Sequence, residues 1–243
     1  MAEVARSELV PTGTLRAGLN RANFLLVNRD SAPEKPEGVA PDMARELARR
    51  LGVALQFVTY ETPAKLGDAA PSGAWDVAFL GAEPARAASI DFTPAYVEIE
   101  CTYLVPPGSS LSRIADVDRS GVRISVSARS AYDLYLARTI RNAELVRSDG
   151  LDASLERFVA EGLDALAGLR PRLEKDVAQL PGARILEGRF TAVQQAIGTP
   201  KGRAAGSRYL REFVEDVKAS GFVAAAIARH QAQGLSVAAA ARE

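Results

Sequence analysis

The stretch FLGAEPARAASIDFTPAYVEIE, Phe79–Glu100, passes from an apolar run ending at Gly81, through a lone arginine at Arg86, to an Asp-Phe-Thr-Pro turn and a second extended apolar run. The first run closes AWDVAFLG (74–81), which reads as a short buried strand. The second continues through CTYLVPPGSS (101–110) into a new pattern of strands and helices. What Arg86 does depends on what the rest of the chain builds around it.

Upstream, TLRAGLN (14–20) and VALQFVTY (53–60) read as strands, and PDMARELARRLG (41–52) between them carries apolar residues at helical spacing with Gly52 as its C-cap. That is a βαβ unit. Residues 2–10 predict a short helix, ended by Pro11 and Gly13. Downstream, GVRISVSA (121–128), GLDALAG (162–168) and FTAVQQAIG (190–198) read as further strands, and AYDLYLARTI (131–140), ASLERFVAEG (153–162) and AGSRYLREFVEDVKAS (205–220) as helices. Alternation of this kind predicts an α/β protein with mainly parallel sheets flanked by helices. RDSAPEKPEG (29–38), with its prolines and charges, suits an exposed turn. The two long extended crossings, through 91–110 and 184–200, predict two lobes joined by a pair of hinge strands: lobe 1 from 1–101 plus 193–243, and lobe 2, inserted, from 102–192.

Composition narrows the function. Thirty basic residues balance thirty acidic ones among 243, so no global field favours nucleic acid or an anionic membrane. Cys101 is the only cysteine and His230 the only histidine, which removes internal disulfides, cysteine-clustered zinc and histidine-based triads. No cofactor or metal is expected. No apolar run reaches the eighteen or so residues a membrane span needs, and the N-terminus lacks the core of a signal peptide. A native N-terminus then implies the cytoplasm, and a trimmed signal the periplasm. The balanced charge and lack of an apolar surface stripe fit a monomer.

Taken in order, LRAGLN, a Gly-x-x-x-Asp helix start at Gly38–Asp42, a Trp-Asp strand at Trp75, Arg86, Asp-Phe-Thr-Pro-x-Tyr and GVRISVSARSAYDLYL resemble the amino-acid-type (family 3) solute-binding proteins of ABC transporters, over about residues 13–230. The resemblance implies the type II periplasmic-binding-protein fold, a clamshell that closes on a small ligand by hinge bending. It implies that Arg86 grips the ligand's carboxylate, for which a guanidinium is suited by its two parallel donors and permanent charge.

Gly81 at the strand end would let backbone amides approach the ligand, and Pro84 suits the first turn of a short helix. Glu83 stands where the family often has a hydroxyl residue. It points away, pairs with Arg86, or accepts from a cationic part of the ligand. In the second lobe Ser130 takes the family's hydroxyl position as an N-cap, followed by Ala131, with Arg129 in place of the usual glycine. Arg129 is an exposed charge, narrows the pocket, or adds a second positive charge. Tyr132 and Tyr135 pack the helix.

The family's second-lobe acid, which receives an α-ammonium, would fall five residues after Asp164, and Leu169 stands there, followed by Arg170. Either the ligand has no α-amino group at that point, or Glu83 or another acid receives it. Arg170 is a solvated charge before Pro171 or reads a second acidic group. NRANFLLVN (20–28) supplies Asn20, Asn23 and Phe24 for the floor of the first lobe, and Gln194 and Gln195 return near the cleft. Trp75 and Cys101 are expected to be structural. The expected function is non-catalytic binding of a small carboxylate, with an ABC permease as a possible partner. The alternatives are a cytosolic sensor or scavenger of the same fold, or a lyase like the cyclohexadienyl dehydratases that share the fold.

Overall fold

A computed structural model describes residues 2–241. The chain forms two compact units, Met1–Glu98 with Gln194–Glu243, and Ile99–Val193. In chain order, unit 1 contributes α1 (Ala2–Leu9), β1 (Thr14–Asn20), α2 (Val39–Leu51), β2 (Ala54–Tyr60), α3 (Pro63–Asp68), β3 (Val77–Gly81) and β4 (Ile90–Phe92). The chain leaves unit 1 within β5 (Val97–Val105). Unit 2 then adds β6 (Arg123–Ser127), α4 (Ala131–Thr139), β7 (Glu144–Ser148), α5 (Leu151–Ala160), β8 (Ala165–Leu169), α6 (Arg170–Val177) and β9 (Arg184–Ile185). The chain returns within β10 (Thr191–Pro200) and ends unit 1 with α7 (Ala204–Ala219), α8 (Phe222–Arg229) and β11 (Leu235–Val237).

Both units repeat one plan. In unit 1 the order is β2-β1-β3-β10, with β1 parallel to β2 and β3, and β10 antiparallel to β3. In unit 2 the order is β7-β6-β8-β5, with β6 parallel to β7 and β8, and β5 antiparallel to β8. In each, the chain steps outward from the first strand to one neighbour and then crosses to the other side. The carboxyl ends of β1 and β3, and of β6 and β8, therefore flank the switch points where α/β sheets hold ligands.

The residue pattern explains the layers. β3 is buried throughout: Val77 and Phe79 face one cluster with Leu15, Met43, Leu47 and Phe213, while Ala78 and Leu80 face another with Leu66, Trp75 and Ile90. Burial on both faces is what its unbroken apolar run requires. α2 presents Met43, Leu47 and Leu51 to the first cluster and ends at Gly52 in the left-handed conformation. The Trp75 indole donates to the Leu66 carbonyl at 3.0 Å, fixing α3 against the sheet. Unit 2 has its own core around Leu104, Val146, Phe158, Leu163, Leu166 and Leu173.

The periodicity did not predict β4, β7, β9, β11, α3, α6 or α8. β7 reads ELVRS, of which only Val146 is fully buried, so its charged positions mask the strand. α6 opens with Arg-Pro-Arg and shows little apolar repeat. Pro84 begins a run of turns rather than the expected short helix. There the amide of Arg86 donates to Glu83 O and that of Ala87 to both Glu83 O and Pro84 O, so no regular helical ladder is established. Among the described residues no helix is long and apolar enough to cross a membrane, and no cluster of His, Cys, Asp and Glu is arranged to hold a metal ion.

Candidate functional site

In unit 1 the candidate residues gather at the carboxyl ends of β1 and β3. Asn20 closes β1, and its Oδ1 accepts the Ala22 amide at 3.1 Å, which tightens the turn into Asn23 and Phe24. The Asn23 carbonyl accepts from the amides of Leu26 and Val27. The Asn23 side chain is 7 % exposed, and its Oδ1 has no hydrogen-bond donor among the described residues. Phe24 is half-buried, with the Arg29 guanidinium 6.0 Å from its ring centroid. The following helix can start where it does because Gly38 has φ 133° and a Cβ there would lie 2.3 Å from Leu26 O.

Gly81 closes β3 opposite Gln195, and its carbonyl accepts from Arg86 Nη1 at 2.7 Å. Arg86 is 8 % exposed, with its aliphatic stem against Gly67 of α3. A guanidinium that deep is retained only when its donors are met, and the Gly81 bond aligns it with the end of the strand. Glu83 is also buried, and the Ala82 amide donates to Gln194 O at 2.8 Å, so Gln194 borders this turn through its backbone.

In unit 2 the turn after β6 is built around Ser130. Arg129 has φ 55°, the left-handed conformation that the usual glycine adopts freely and an arginine does not. Two contacts hold it there: the Arg129 amide donates to Asp133 Oδ2 at 2.7 Å, and Asp133 is in turn held by the Arg147 guanidinium at 2.9 Å. Ser130 is the N-cap of α4, its Oγ accepting the Asp133 amide at 3.1 Å. Ala131, the first helical residue, is buried, and the Arg129 side chain is exposed. Tyr132 is 3 % exposed, and burial pushes its phenol well above the ordinary range, partly offset by Ser130 and Ser127.

Leu169 ends β8 paired with Cys101 and is buried. Asp164, the anchor of that alignment, accepts the Arg123 amide at 2.8 Å. Arg170 donates to Glu100 at 2.9 Å and to the Gly188 carbonyl at 2.5 Å, and Arg189 also reaches Glu100. Those contacts commit the Arg170 guanidinium within unit 2. Tyr132 was expected to pack the helix, and it is buried.

Each unit thus brings a basic or hydroxyl-bearing turn to the carboxyl end of its parallel strands. The chain matches, over residues 19–233, the model of bacterial extracellular solute-binding proteins, family 3, and belongs to that family. It is a solute-binding protein rather than an enzyme, with the type II periplasmic-binding-protein fold.

No curated protein matches the chain in sequence. Among solved structures, it is similar to the solute receptor for L-cysteine of Neisseria gonorrhoeae (TM-score 0.75, 20% identity, 93% of this chain and 92% of that one). An amino acid ABC transporter substrate-binding protein of Streptococcus pneumoniae bound to L-arginine is also similar (TM-score 0.75, 16% identity, 93% and 98%). So is an ancestral amino acid-binding protein described as a precursor of cyclohexadienyl dehydratase (TM-score 0.73, 18% identity, 92% and 98%).

Proposed function

We propose that the chain binds a small carboxylate-bearing solute, an amino acid or a related organic acid, and delivers it to an ABC permease. The observation that carries this reading is the Arg86 guanidinium, buried at the carboxyl end of β3 and aligned by the Gly81 carbonyl. Arg86 is the carboxylate anchor of unit 1, and in unit 2 the Ser130 hydroxyl with the first amides of α4 offers an anion-binding turn, where the helix terminus favours negative charge. Family membership supports transport over a sensor or scavenger role.

The other end of the ligand is held differently from the family pattern. Leu169 offers an α-ammonium no acceptor, and Arg170 is engaged by Glu100. Asn23 Oδ1, buried and without a donor among the described residues, supports a neutral acceptor in unit 1 for an N–H or O–H of the ligand. Glu83 of the same unit is the charged candidate for that task. Asn20, Phe24, Gly81 and Gln194 complete the unit 1 contribution, and Arg129 and Ala131 that of unit 2.

The test is thermal stabilisation and calorimetric titration with L-arginine, L-cysteine, L-glutamate, 2-oxoglutarate and succinate. Stabilisation follows RT ln(1 + [L]/Kd), so at least one probe should raise the melting temperature in a concentration-dependent way. Arg86→Ala should weaken that probe about a hundredfold, the scale of a charge-assisted contact worth ~2.7 kcal/mol, while the unliganded protein melts as a folded chain. Unchanged affinity in Arg86→Ala would overturn the assignment.

A further inference from the structure

Asp133 lies in the first turn of α4 and is 2 % exposed. Its carboxylate turns back toward the start of the helix, where Oδ2 accepts the Arg129 amide at 2.7 Å, while its own amide donates to Ser130 Oγ at 3.1 Å. Arg129 has φ 55°, so this carboxylate holds a left-handed backbone at a residue that carries a Cβ. The consequence is a buried negative charge inside the turn that presents the Ser130 hydroxyl. The same turn presents the Ala131 and Tyr132 amides, which by their position have no acceptor within the helix. The Arg147 guanidinium meets that charge, with Nε 2.9 Å from Asp133 Oδ1 and 3.2 Å from Oδ2. Arg147 lies on β7 opposite Val126 of β6, and its carbonyl accepts from Arg157 at 3.0 Å.

We propose that Arg147 is a positioning residue for the anion-binding turn of unit 2, acting through Asp133: by cancelling that charge it lets one turn hold a structural carboxylate and still attract an anionic ligand group. Like charges within one helical turn repel, and the repulsion grows as water is excluded. An uncompensated Asp133 would therefore oppose the anion that the Ser130 hydroxyl and the first amides of α4 draw in. The Arg147 side chain is itself 44 % exposed, whereas that of Asp133 is 3 % exposed. The arginine brings its charge from the solvent side of β7 to a carboxylate that water scarcely reaches.

This inference rests on the reading of the Ser130 turn as anion-binding, and the experiment separates the two. Calorimetric affinities for the five probes above are compared in the wild type, Ser130→Ala, Arg147→Gln, Asp133→Asn and the double variant Asp133→Asn/Arg147→Gln. Asparagine keeps an oxygen for the Arg129 amide and drops the charge. Arg147→Gln is expected to weaken the bound probe about five- to tenfold, and the double variant to recover to within about twofold of the wild type. A merely structural ion pair would leave the double variant no tighter than Arg147→Gln, and that outcome, like unchanged affinity in Arg147→Gln, overturns the proposal. Ser130→Ala binding as wild type while Arg86→Ala does not would instead remove the role given to the turn, and this inference with it. A wild type that binds none of the probes would remove the carboxylate reading as well.

Should Arg147→Gln fail to fold, Asp133→Asn alone supplies the second measurement. It removes the charge that Arg147 answers and leaves the arginine in place, so the probe should bind about twofold more tightly than to the wild type. Weaker binding to Asp133→Asn overturns the proposal, because the turn would then need the ion pair for its shape rather than for its charge.

Discussion

At the scale of single residues, the main constraint lies at Gly38. Its φ of 133° is open to glycine and strained for other residues, and an added Cβ would sit 2.3 Å from the Leu26 carbonyl oxygen. Backbone has little room to yield there, because Leu26 O also accepts the Ala40 amide. Gly38→Ala should therefore destabilise by about 2–4 kcal/mol through combined strain and overlap, read as a lower urea midpoint at unchanged slope. A loss below ~1 kcal/mol would show that the loop from Asn23 relaxes. Gly38 was visible in the sequence as the head of Gly-x-x-x-Asp, but the reason for it was not, since Leu26 approaches only in the fold. The same holds at the site. Ser130 was legible as an N-cap from residue type, whereas the Gly81 carbonyl on Arg86 depends on how the turn after β3 folds, and the Glu100 pair on Arg170 spans a sequence separation of 70 that spacing does not encode.

At the scale of elements, helices with a strong apolar repeat were legible and short or charged elements were not. α2 shows both its core face and its outer charge network. Glu46 accepts from Arg49 and Arg50, and Arg50 also reaches Asp216 of α7 at 2.5 Å. The Arg49 hydrogen bond, helped by Arg50 and opposed by burial, lowers the Glu46 carboxyl from 4.5 to about 2. A carboxyl depressed in the folded state adds stability above its unfolded value and loses it as pH falls through its folded value. The contribution of Glu46 should therefore be present above pH 4.5 and fade toward pH 2. Glu46→Gln should flatten the acid limb of the stability curve in that window by less than ~1 kcal/mol, since its arginine partners reach into solvent. Urea melts at stepped pH check it, and an acid limb identical to wild type would show the pairs contribute nothing.

At the scale of the molecule, the order in which the chain supplies its strands decides which part can stand alone. Unit 2 is one continuous stretch, residues 99–193, carrying the β7-β6-β8-β5 sheet and a core centred on Leu104, Phe158, Leu163 and Leu166. Unit 1 is assembled from both ends of the chain. Its sheet needs β10 beside β3, α1 packs on α7 with Gly206 close against Leu9, and Phe213, Val214 and Val217 of α7 fill the core beneath α2. The N-terminal segment alone would leave β3 an open edge with unpaired backbone groups and the apolar face of α2 uncovered. A fragment of residues 99–193 should therefore fold cooperatively, whereas residues 1–98 should not until 194–243 is supplied in cis or in trans. Trp75, the sole tryptophan, is fully buried in unit 1, so its emission reports that unit without interference from unit 2. For the 1–98 fragment the emission should be that of a solvated indole and should shift to shorter wavelength on adding 194–243. A cooperative melt and blue-shifted emission from 1–98 by itself would mean that β10 and α7 complete a unit already formed rather than create it.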